Sequence, residues 1–437
     1  MWSPNARDVG GLPTRYGVPT RAGALVRTDA FATVPDELRT LDAGLVLDLR
    51  SDWELAERHP LDGTASYRRI PWIDPEAEKL RDPDAEPRLL DVYRNSLTRN
   101  ADHIRRIFAA IADAPADRPV VVHCKAGKDR TGLTVAVLLE LAGVPRDLIA
   151  ADYAISEVHL GTRDGPEFAR TRPETILGSL EHLDSLGGVP AYLSWLGLSA
   201  AQVHRLATRL VPVDVEAIVF DFDGLLMDTE TTMVESWRAE WAHHGLELDL
   251  TGFWPGHGGD VSEQRYAVLA AAVGAGFDRD ASHARRLAHR DRMHADLDFR
   301  PGIREWIRTA REIGLTVGIA SSSPRAWVLG HLERVGAADL FDQITTGDEV
   351  ATHKPDPAIY QLALQRLGEP FAIAVEDTPH GVAAAQAAGM YAVAVPNPYV
   401  SSTAVAEADL VLGSADELLL TELLLSARSK GSTLVTE

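Results

Sequence analysis

Short apolar runs rich in Val, Ile and Leu alternate along this chain with longer stretches of helical periodicity. A strand buried inside a parallel sheet is a short apolar run, and the crossover to the next strand is usually a helix. The alternation therefore predicts an α/β fold built on parallel sheets. The candidate strands are residues 44–49, 119–123, 217–220, 315–320 and 371–375.

The chain has 437 residues, which is too long for one ordinary core and fits two domains most simply. A helical pattern over residues 198–210 is followed by an apolar run over residues 215–220, so we place the boundary near Pro212. The predicted domains are residues 1–212 and residues 213–437.

The formal net charge of -21 argues against broad binding to nucleic acid or to an anionic membrane, because either requires clustered Lys and Arg. A phosphorylated ligand must therefore meet a local positive site. The sequence has no run of about 18 apolar residues, and MWSPNARDVGG at its start lacks the apolar core of a signal peptide. We expect a cytoplasmic protein without an integral membrane segment, and the oligomeric state stays open.

The single cysteine, Cys124, excludes an internal disulfide and a zinc site of several thiolates. It stands in residues 123–132, HCKAGKDRTG, between an apolar run and a helical one. A loop that closes onto a helix N-terminus points backbone N–H groups inward, which suits a phosphate dianion and favours a thiolate. Arg130 can clamp two phosphate oxygens, and Thr131 can donate a hydrogen bond to the sulfur. The alternative for Cys124 is a small buried hydrophobe.

Residues 123–132 resemble the Cys-x5-Arg-Ser/Thr signature of the protein tyrosine phosphatases. Three further segments resemble recurrent segments of bacterial tyrosine and lipid phosphatases: residues 5–12, 48–51 and 151–153. The resemblance covers roughly residues 1–212. It implies a tyrosine-phosphatase-like α/β domain, without a cofactor, in which Cys124 attacks phosphorus and forms a phosphocysteine that water hydrolyses.

A general acid must protonate the leaving oxygen, and two aspartates are candidates. Asp74, in residues 70–74, stands where the family supplies an aspartate on a mobile loop. Asp129 lies inside the cysteine loop itself. We favour Asp74 and keep Asp129 open. The alternative for Asp74 is a turn residue before Pro75.

The remaining loop residues, Lys125, Ala126, Gly127 and Lys128, are predicted to bind phosphate. The two lysines resemble those of phosphoinositide phosphatases, which implies activity on phosphoinositides beside phosphotyrosine or phosphoserine. Alternatively, the lysines only raise the local potential of an acidic protein. A second alternative is that the first domain binds phosphate without catalysis.

A second motif follows the candidate strand 217–220, as residues 221–230 read DFDGLLMDTE. Asp221 and Asp223 can serve one centre directly after a strand, and oxygen ligands of this kind suit Mg²⁺. Other candidate strands end near further polar groups. These are Ser321 after residues 315–320, Glu376 and Asp377 after residues 371–375, and Lys354 in HKPDP. Carboxyl ends of parallel strands share one edge of a sheet, so these groups are expected to meet.

The order of these motifs resembles that of the haloacid dehalogenase superfamily over residues 213–424. The resemblance implies a Rossmann-like core with a helical cap inserted at about residues 231–300. It also implies Asp221 as the nucleophile that forms a phosphoaspartate and Asp223 as general acid and base. The implied phosphate ligands are Ser321, Ser322 and Lys354, and the implied Mg²⁺ ligands are Asp221, Asp223, Asp377 and Glu376.

DFDGLLMDTE and HKPDP look most like the β-phosphoglucomutase-like group. The sequence departs from that group at Met233, where members usually carry His, and the cap loop at residues 254–260 has no Arg to hold a second phosphate. Hydrolysis of small phosphorylated metabolites is therefore favoured, with a phosphosugar mutase as the alternative. Together the two halves predict a bifunctional phosphatase.

Overall fold

The computed structural model of the protein describes residues 3–55, 57–161, 170–251, 253 and 261–427. These residues divide into two compact units, one reaching to Val213 and the other beginning at Asp214. Each unit is built on a mainly parallel sheet with helices. The α/β fold predicted from the alternating pattern is therefore confirmed.

The first unit contains a five-stranded sheet in the order β1-β2-β5-β3-β4. Its strands are β1 (Arg7–Asp8), β2 (Leu25–Thr28), β3 (Leu45–Asp48), β4 (Tyr67–Arg69) and β5 (Val120–His123). Strand β1 pairs antiparallel with β2, and the other pairs are parallel. Strand β5 lies in the centre and is buried along its whole length. The chain therefore leaves β5 from the middle of the sheet.

Nine helices of the first unit are described: α1 (Asp36–Leu41), α2 (Pro75–Glu78), α3 (Leu89–Arg99), α4 (Ala101–Ala112), α5 (Asp129–Leu141), α6 (Arg146–His159), α7 (Pro173–Ser185), α8 (Gly188–Trp195) and α9 (Ala200–Leu210). Helix α5 contacts α6, α7, α8 and α9. Its residues are apolar on nearly every side, as expected of a helix that is surrounded by others.

The second unit contains a six-stranded parallel sheet in the order β11-β10-β9-β6-β7-β8. Its strands are β6 (Ala217–Phe220), β7 (Thr316–Ser321), β8 (Gln343–Thr346), β9 (Ala372–Glu376), β10 (Tyr391–Ala394) and β11 (Leu410–Val411). Phe220 of β6 lies beside Ile319 of β7 and Val375 of β9. The carboxyl ends of these three strands are therefore neighbours.

The described helices of the second unit are α10 (Thr229–His243), α11 (Ser262–Val273), α12 (Arg279–Ala295), α13 (Ile303–Glu312), α14 (Arg325–Arg334), α15 (Ala358–Leu367), α16 (Pro379–Ala387) and α17 (Leu420–Ser426). Helices α10, α11 and α12 come between β6 and β7, where an inserted cap is predicted. They bury apolar side chains of their own, including Val234, Trp237, Tyr266 and Leu269.

The five candidate strands all occur, each within one residue of its predicted ends. The short strands β1, β2, β4, β8, β10 and β11 were not predicted. Within the described part of the chain, every helix is too short or too polar to cross a bilayer.

Gly302 gives a stability prediction for the second unit. It precedes α13 with φ +79, and a Cβ there would lie 2.3 Å from the backbone nitrogen of Asp416. Gly314 has φ +83 with nothing within 4 Å of its Cβ position. We expect Gly314→Ala to cost about 1–2 kcal/mol of backbone strain. Gly302→Ala should cost roughly 1–3 kcal/mol more, because packed backbone must move.

Differential scanning calorimetry of the full chain measures both variants, at about 2–4 °C per kcal/mol for a unit of this size. Equal shifts for the two variants would contradict the close packing at Gly302.

Candidate active sites

The cysteine loop joins the centre of the first sheet to a helix N-terminus. Cys124 follows β5 directly and is only 2% exposed. Five residues later, α5 begins at Asp129. The positive end of the α5 dipole therefore lies at the end of the loop that starts with Cys124, as predicted for a thiolate and phosphate site.

Two carbonyl groups of the loop are held by donors from the N-terminal part of the chain. Asn5 Nδ2 donates to the Ala126 carbonyl at 2.9 Å, and Arg27 Nη2 donates to the Gly127 carbonyl at 2.8 Å. Gly127 has φ +64, and a Cβ there would lie 2.4 Å from the Thr28 carbonyl oxygen. These contacts fix the loop backbone and occupy carbonyls that would otherwise repel an anion.

Arg27 is itself oriented by the largely buried carboxylate of Asp152. Asp152 Oδ2 accepts from Arg27 Nη1 at 2.5 Å, and Asp152 Oδ1 accepts from Arg7 Nε at 2.7 Å. Burial alone would raise the pKa of Asp152, but Arg27 and Arg7 lower it below its usual value. Two of the segments that resemble bacterial phosphatases, residues 5–12 and 151–153, therefore meet behind the loop.

Arg130 is fixed by a carboxylate that the sequence analysis missed. Its Nη1 and Nη2 lie 2.5 and 2.7 Å from the two carboxylate oxygens of Glu54. Burial opposes the charge on Arg130, but Glu54 raises its pKa above the ordinary value. Glu54 also accepts from the backbone N–H of Ser51 at 2.8 Å. The Ser-x-x-Glu spacing is the available sequence signal, and it indicates only a helix cap.

The other loop side chains differ in exposure. Thr131 is buried, and its hydroxyl has no hydrogen-bond partner among the described residues. Lys125 is exposed. Lys128 is buried, with its Nζ 3.2 Å from Asp129 Oδ1. The two lysines therefore have different environments, although the sequence treats them alike.

The two candidate acids lie in different settings. Asp74 precedes α2 and accepts hydrogen bonds from the backbone N–H groups of Glu76 at 2.9 Å and Ala77 at 3.4 Å. That is the capping geometry of a turn residue. Asp129 is the first residue of α5, and its Oδ1 accepts from the Tyr93 hydroxyl at 2.5 Å.

Asp48, His59 and His123 form a buried cluster whose potential ligand atoms lie within 4.8 Å of one another. Asp48 already accepts from Arg50 Nη2 at 2.7 Å and from the Tyr67 hydroxyl at 3.0 Å. Burial lowers the pKa of His59 to about 4 and lowers that of His123 as well. The His59 ring stacks on Tyr67 at 4.3 Å. The cluster therefore packs at the carboxyl end of β5, and the Arg50 guanidinium balances the charge of the Asp48 carboxylate.

The second site gathers three buried carboxylates at the ends of neighbouring strands. Asp221 follows β6, while Glu376 and Asp377 stand at the end of β9, and their oxygens lie within 4.8 Å of one another. Lys354 Nζ donates to Asp221 and, at 2.6 Å, to Glu376.

The carboxylate cluster is short of positive charge. Burial raises the pKa of Asp221 to about 8 although Lys354 opposes the shift, and burial with Asp221 and Glu376 nearby raises that of Asp377. Lys354 supplies one cation against three carboxylates. Three buried oxygen donors of this kind fit a divalent cation such as Mg²⁺.

Residues around this cluster orient it, and the sequence analysis did not identify them. Tyr360 donates its hydroxyl to Glu376 Oε1 at 2.6 Å, the same oxygen that Lys354 contacts. Asn397 Nδ2 donates to Asp377 Oδ2 at 2.8 Å. Glu376 thus orients Lys354, while Asp377 keeps its other oxygen for a ligand.

Asp223 accepts hydrogen bonds from three side chains. Thr229 Oγ1 and Trp327 Nε1 donate to Oδ1, each at 2.9 Å, and Ser323 Oγ donates to Oδ2 at 2.5 Å. Neither Trp327 nor Ser323 lies in a motif from which the sequence analysis drew a role. The three donors set the orientation of the carboxylate.

The serines after β7 do not share one role. Ser321 is the last residue of β7 and is buried, and its Oγ accepts from the Ser323 backbone N–H at 3.1 Å. Ser322 is exposed. The structure therefore places Ser321 at the strand end beside β6 and brings Ser323 to Asp223, while the prediction of Ser322 as a phosphate ligand stays a prediction.

In the cap, Arg265 of helix α11 contacts Met233 of helix α10. Met233 Sδ lies 3.2 Å from Nη1 of Arg265 in α11, and the Arg265 guanidinium lies 4.0 Å from the Phe253 ring centroid. The cap loop at residues 254–260 lies outside the described residues. Residue 233 therefore contacts an arginine from outside that loop.

Comparison with known proteins assigns each half separately. Residues 3–212 match the model of the tyrosine phosphatase family, and residues 218–395 match that of the haloacid dehalogenase-like hydrolases. The relative YhcW of Bacillus subtilis (strain 168) is 35% identical over 213 residues, which are 48% of this chain and 96% of the relative.

Two other relatives carry descriptive names. The tyrosine-protein phosphatase of Nostoc commune is 31% identical over 225 residues, which cover 43% of this chain and 74% of the relative. The phosphorylated carbohydrates phosphatase of Thermotoga maritima is 30% identical over 185 residues, which cover 40% of this chain and 82% of the relative. The chain therefore belongs to the tyrosine phosphatase family through its first half and to the haloacid dehalogenase-like hydrolases through its second, and it is a phosphatase acting on phosphoric monoesters.

Proposed function

We propose that the protein is a bifunctional phosphatase with a metal-independent cysteine site and a magnesium-dependent aspartate site. The observation that carries the first assignment is Arg130, whose guanidinium is held by Glu54 at the end of a loop that begins with the buried Cys124. The second assignment rests on the three buried carboxylates around Lys354.

In the first site, the Cys124 thiolate attacks phosphorus, and the bond from phosphorus to the leaving oxygen breaks. Arg130 and the loop N–H groups hold the phosphoryl oxygens. Asp129 gives its proton to the leaving oxygen. Water then attacks the phosphocysteine and passes a proton back to Asp129, while the Thr131 hydroxyl donates to the departing sulfur.

Asp129 suits the role of acid better than Asp74. Asp74 lies outside the cysteine loop, where it caps α2, whereas Asp129 lies within the loop, next to Arg130. We therefore propose Asp129 as the general acid, against our preference from sequence position alone.

In the second site, Asp221, Asp377 and the backbone carbonyl of Asp223, with Glu376 beside them, would hold Mg²⁺, which offsets the repulsion between a carboxylate nucleophile and phosphate. Asp221 attacks phosphorus, the bond from phosphorus to the leaving oxygen breaks, and water then hydrolyses the phosphoaspartate. Lys354 and Ser321 bind the phosphoryl oxygens, and Asp223 transfers a proton to the leaving oxygen and later takes one from water.

We propose the substrates from how accessible each site is and from the charge of the protein. Lys125 is exposed beside the cysteine loop, which suits bulky phosphoesters on protein or on phosphoinositide. The helical cap of the second unit suits small phosphorylated metabolites, because a cap excludes large ones. The Thermotoga maritima relative is named for phosphorylated carbohydrates. The net charge of -21 disfavours nucleic-acid partners, and we propose a cytoplasmic location.

Chelation should separate the two activities in one molecule. With EDTA, only the cysteine site should act, and Cys124→Ser should remove that activity because a serine hydroxyl stays un-ionised near neutral pH. Asp221→Asn should instead remove the magnesium-dependent activity. Phosphate release from the full chain, with and without EDTA, measures both. Absence of any chelator-resistant turnover would favour the alternative in which the first unit only binds phosphate.

Leaving-group dependence should identify the acid of the first site. In EDTA, Asp129→Asn should lower kcat/KM on phenyl phosphate by about 10²–10⁴ and affect kcat/KM on 4-nitrophenyl phosphate far less, because kcat/KM reports the steps up to release of the leaving group and nitrophenolate leaves without a proton. Asp74→Asn is the matched control, since Asn caps a helix as well as Asp. A substrate-selective loss in Asp74→Asn with none in Asp129→Asn would reverse the assignment.

The second site should hydrolyse phosphorylated sugars or polyols. The full-length Cys124→Ser variant is incubated with Mg²⁺ and a phosphorylated sugar or polyol, and the reaction is monitored by ³¹P NMR. Inorganic phosphate should accumulate. Interconversion of sugar phosphate isomers without phosphate release would instead establish the mutase alternative.

A further inference from the structure

Two buried tyrosines lie behind the cysteine loop and have no role in the mechanism above. Tyr93, in α3, is 3% exposed, and Tyr153, in α6, is 1% exposed. The Tyr93 hydroxyl lies 2.5 Å from Asp129 Oδ1 and 2.8 Å from the Tyr153 hydroxyl. Three helices, α3, α5 and α6, therefore meet at one carboxylate.

Each tyrosine hydroxyl has a single proton, and this determines the direction of both hydrogen bonds. A tyrosine hydroxyl has one proton to donate, and that of Tyr93 goes to Asp129. The hydroxyl of Tyr153 must then donate to the oxygen of Tyr93. Burial, with Asp129 nearby, raises the pKa of both hydroxyls, so both keep their protons at neutral pH.

The side chains of Tyr93 and Lys128 approach the same carboxylate oxygen of Asp129. Lys128 Nζ lies 3.2 Å from Oδ1, the atom that also accepts from Tyr93. Among the residues that the structure describes, no side chain donates to Oδ2. A proton on Asp129 is therefore favoured on Oδ2, because Oδ1 already accepts from Tyr93 and lies 3.2 Å from the positive charge of Lys128.

We propose that Tyr93, held by Tyr153, is a positioning residue that directs the transferable proton of Asp129 to Oδ2. The proposal rests on the proposed function of Asp129 as the acid of the cysteine site. When the bond from phosphorus to the leaving oxygen breaks, the proton passes from Oδ2 to that oxygen and the carboxylate stays bound to Tyr93. After water attacks, Oδ2 takes the proton back.

The rings of the two tyrosines also have a packing role, which the test must separate from the hydroxyl groups. A Cβ on Gly132 would lie 2.8 Å from Cδ2 of Tyr153, so this ring packs directly against α5. Substitution by Phe keeps both rings and removes only the hydroxyls. Tyr93→Phe and Tyr153→Phe are therefore the suitable variants.

The experiment uses the full chain in EDTA with phenyl phosphate and 4-nitrophenyl phosphate. Tyr93→Phe should lower kcat/KM on phenyl phosphate by roughly tenfold or more, while kcat/KM on 4-nitrophenyl phosphate stays near the wild-type value. Tyr153→Phe should give a smaller loss with the same selectivity, because it acts through Tyr93. Equal losses on both substrates, or none, would overturn the proposal and leave Tyr93 a packing residue.

A double-substitution cycle guards against an indirect effect of folding. If Tyr93 acts through Asp129, Tyr93→Phe should add no further loss of phenyl phosphate turnover in an Asp129→Asn background. Additive losses would overturn the proposal. Failure of the underlying function has a different result, since Asp129→Asn alone would then cause no substrate-selective loss.

Discussion

Both active sites depend on a central parallel strand that neighbouring strands hold on each side. Strand β5 pairs with β2 and β3, and β6 pairs with β7 and β9. Such a strand cannot shift its register without breaking two hydrogen-bond ladders and exposing buried side chains. The residues that follow it, Cys124 and Asp221, therefore have fixed positions before any ligand arrives.

The two sites differ in the positive groups that lie near the proposed nucleophile. An acidic protein must attract a phosphate ester to an anionic nucleophile. In the first unit, the positive groups are part of the fold, namely the N-terminus of α5 and Arg130. In the second unit, Lys354 is the cation at the cluster and is already paired with Asp221 and Glu376. Among the described residues, the cluster of the second unit is therefore left with more carboxylates than cations.

The sequence predicted the features that are local along the chain. Apolar runs identified the central strands, and the short motifs after them located Cys124 and Asp221. Contacts between distant residues could not be predicted, because no spacing marks them. Glu54 lies 76 residues from Arg130, and Tyr93 lies 36 residues from Asp129. Asp74 remained ambiguous because an aspartate before proline suits both a helix cap and a mobile catalytic loop.

The paired contact between Glu54 and Arg130 has a consequence for how the first site turns over. Arg130 loses its rotational freedom when the protein folds, so substrate binding does not have to order it. In the proposed mechanism, Arg130 also binds phosphate, and the negative charge of Glu54 beside it would repel a phosphate dianion. In that mechanism, Glu54 orients the guanidinium and also weakens its attraction for free phosphate. This would favour release of the phosphate product.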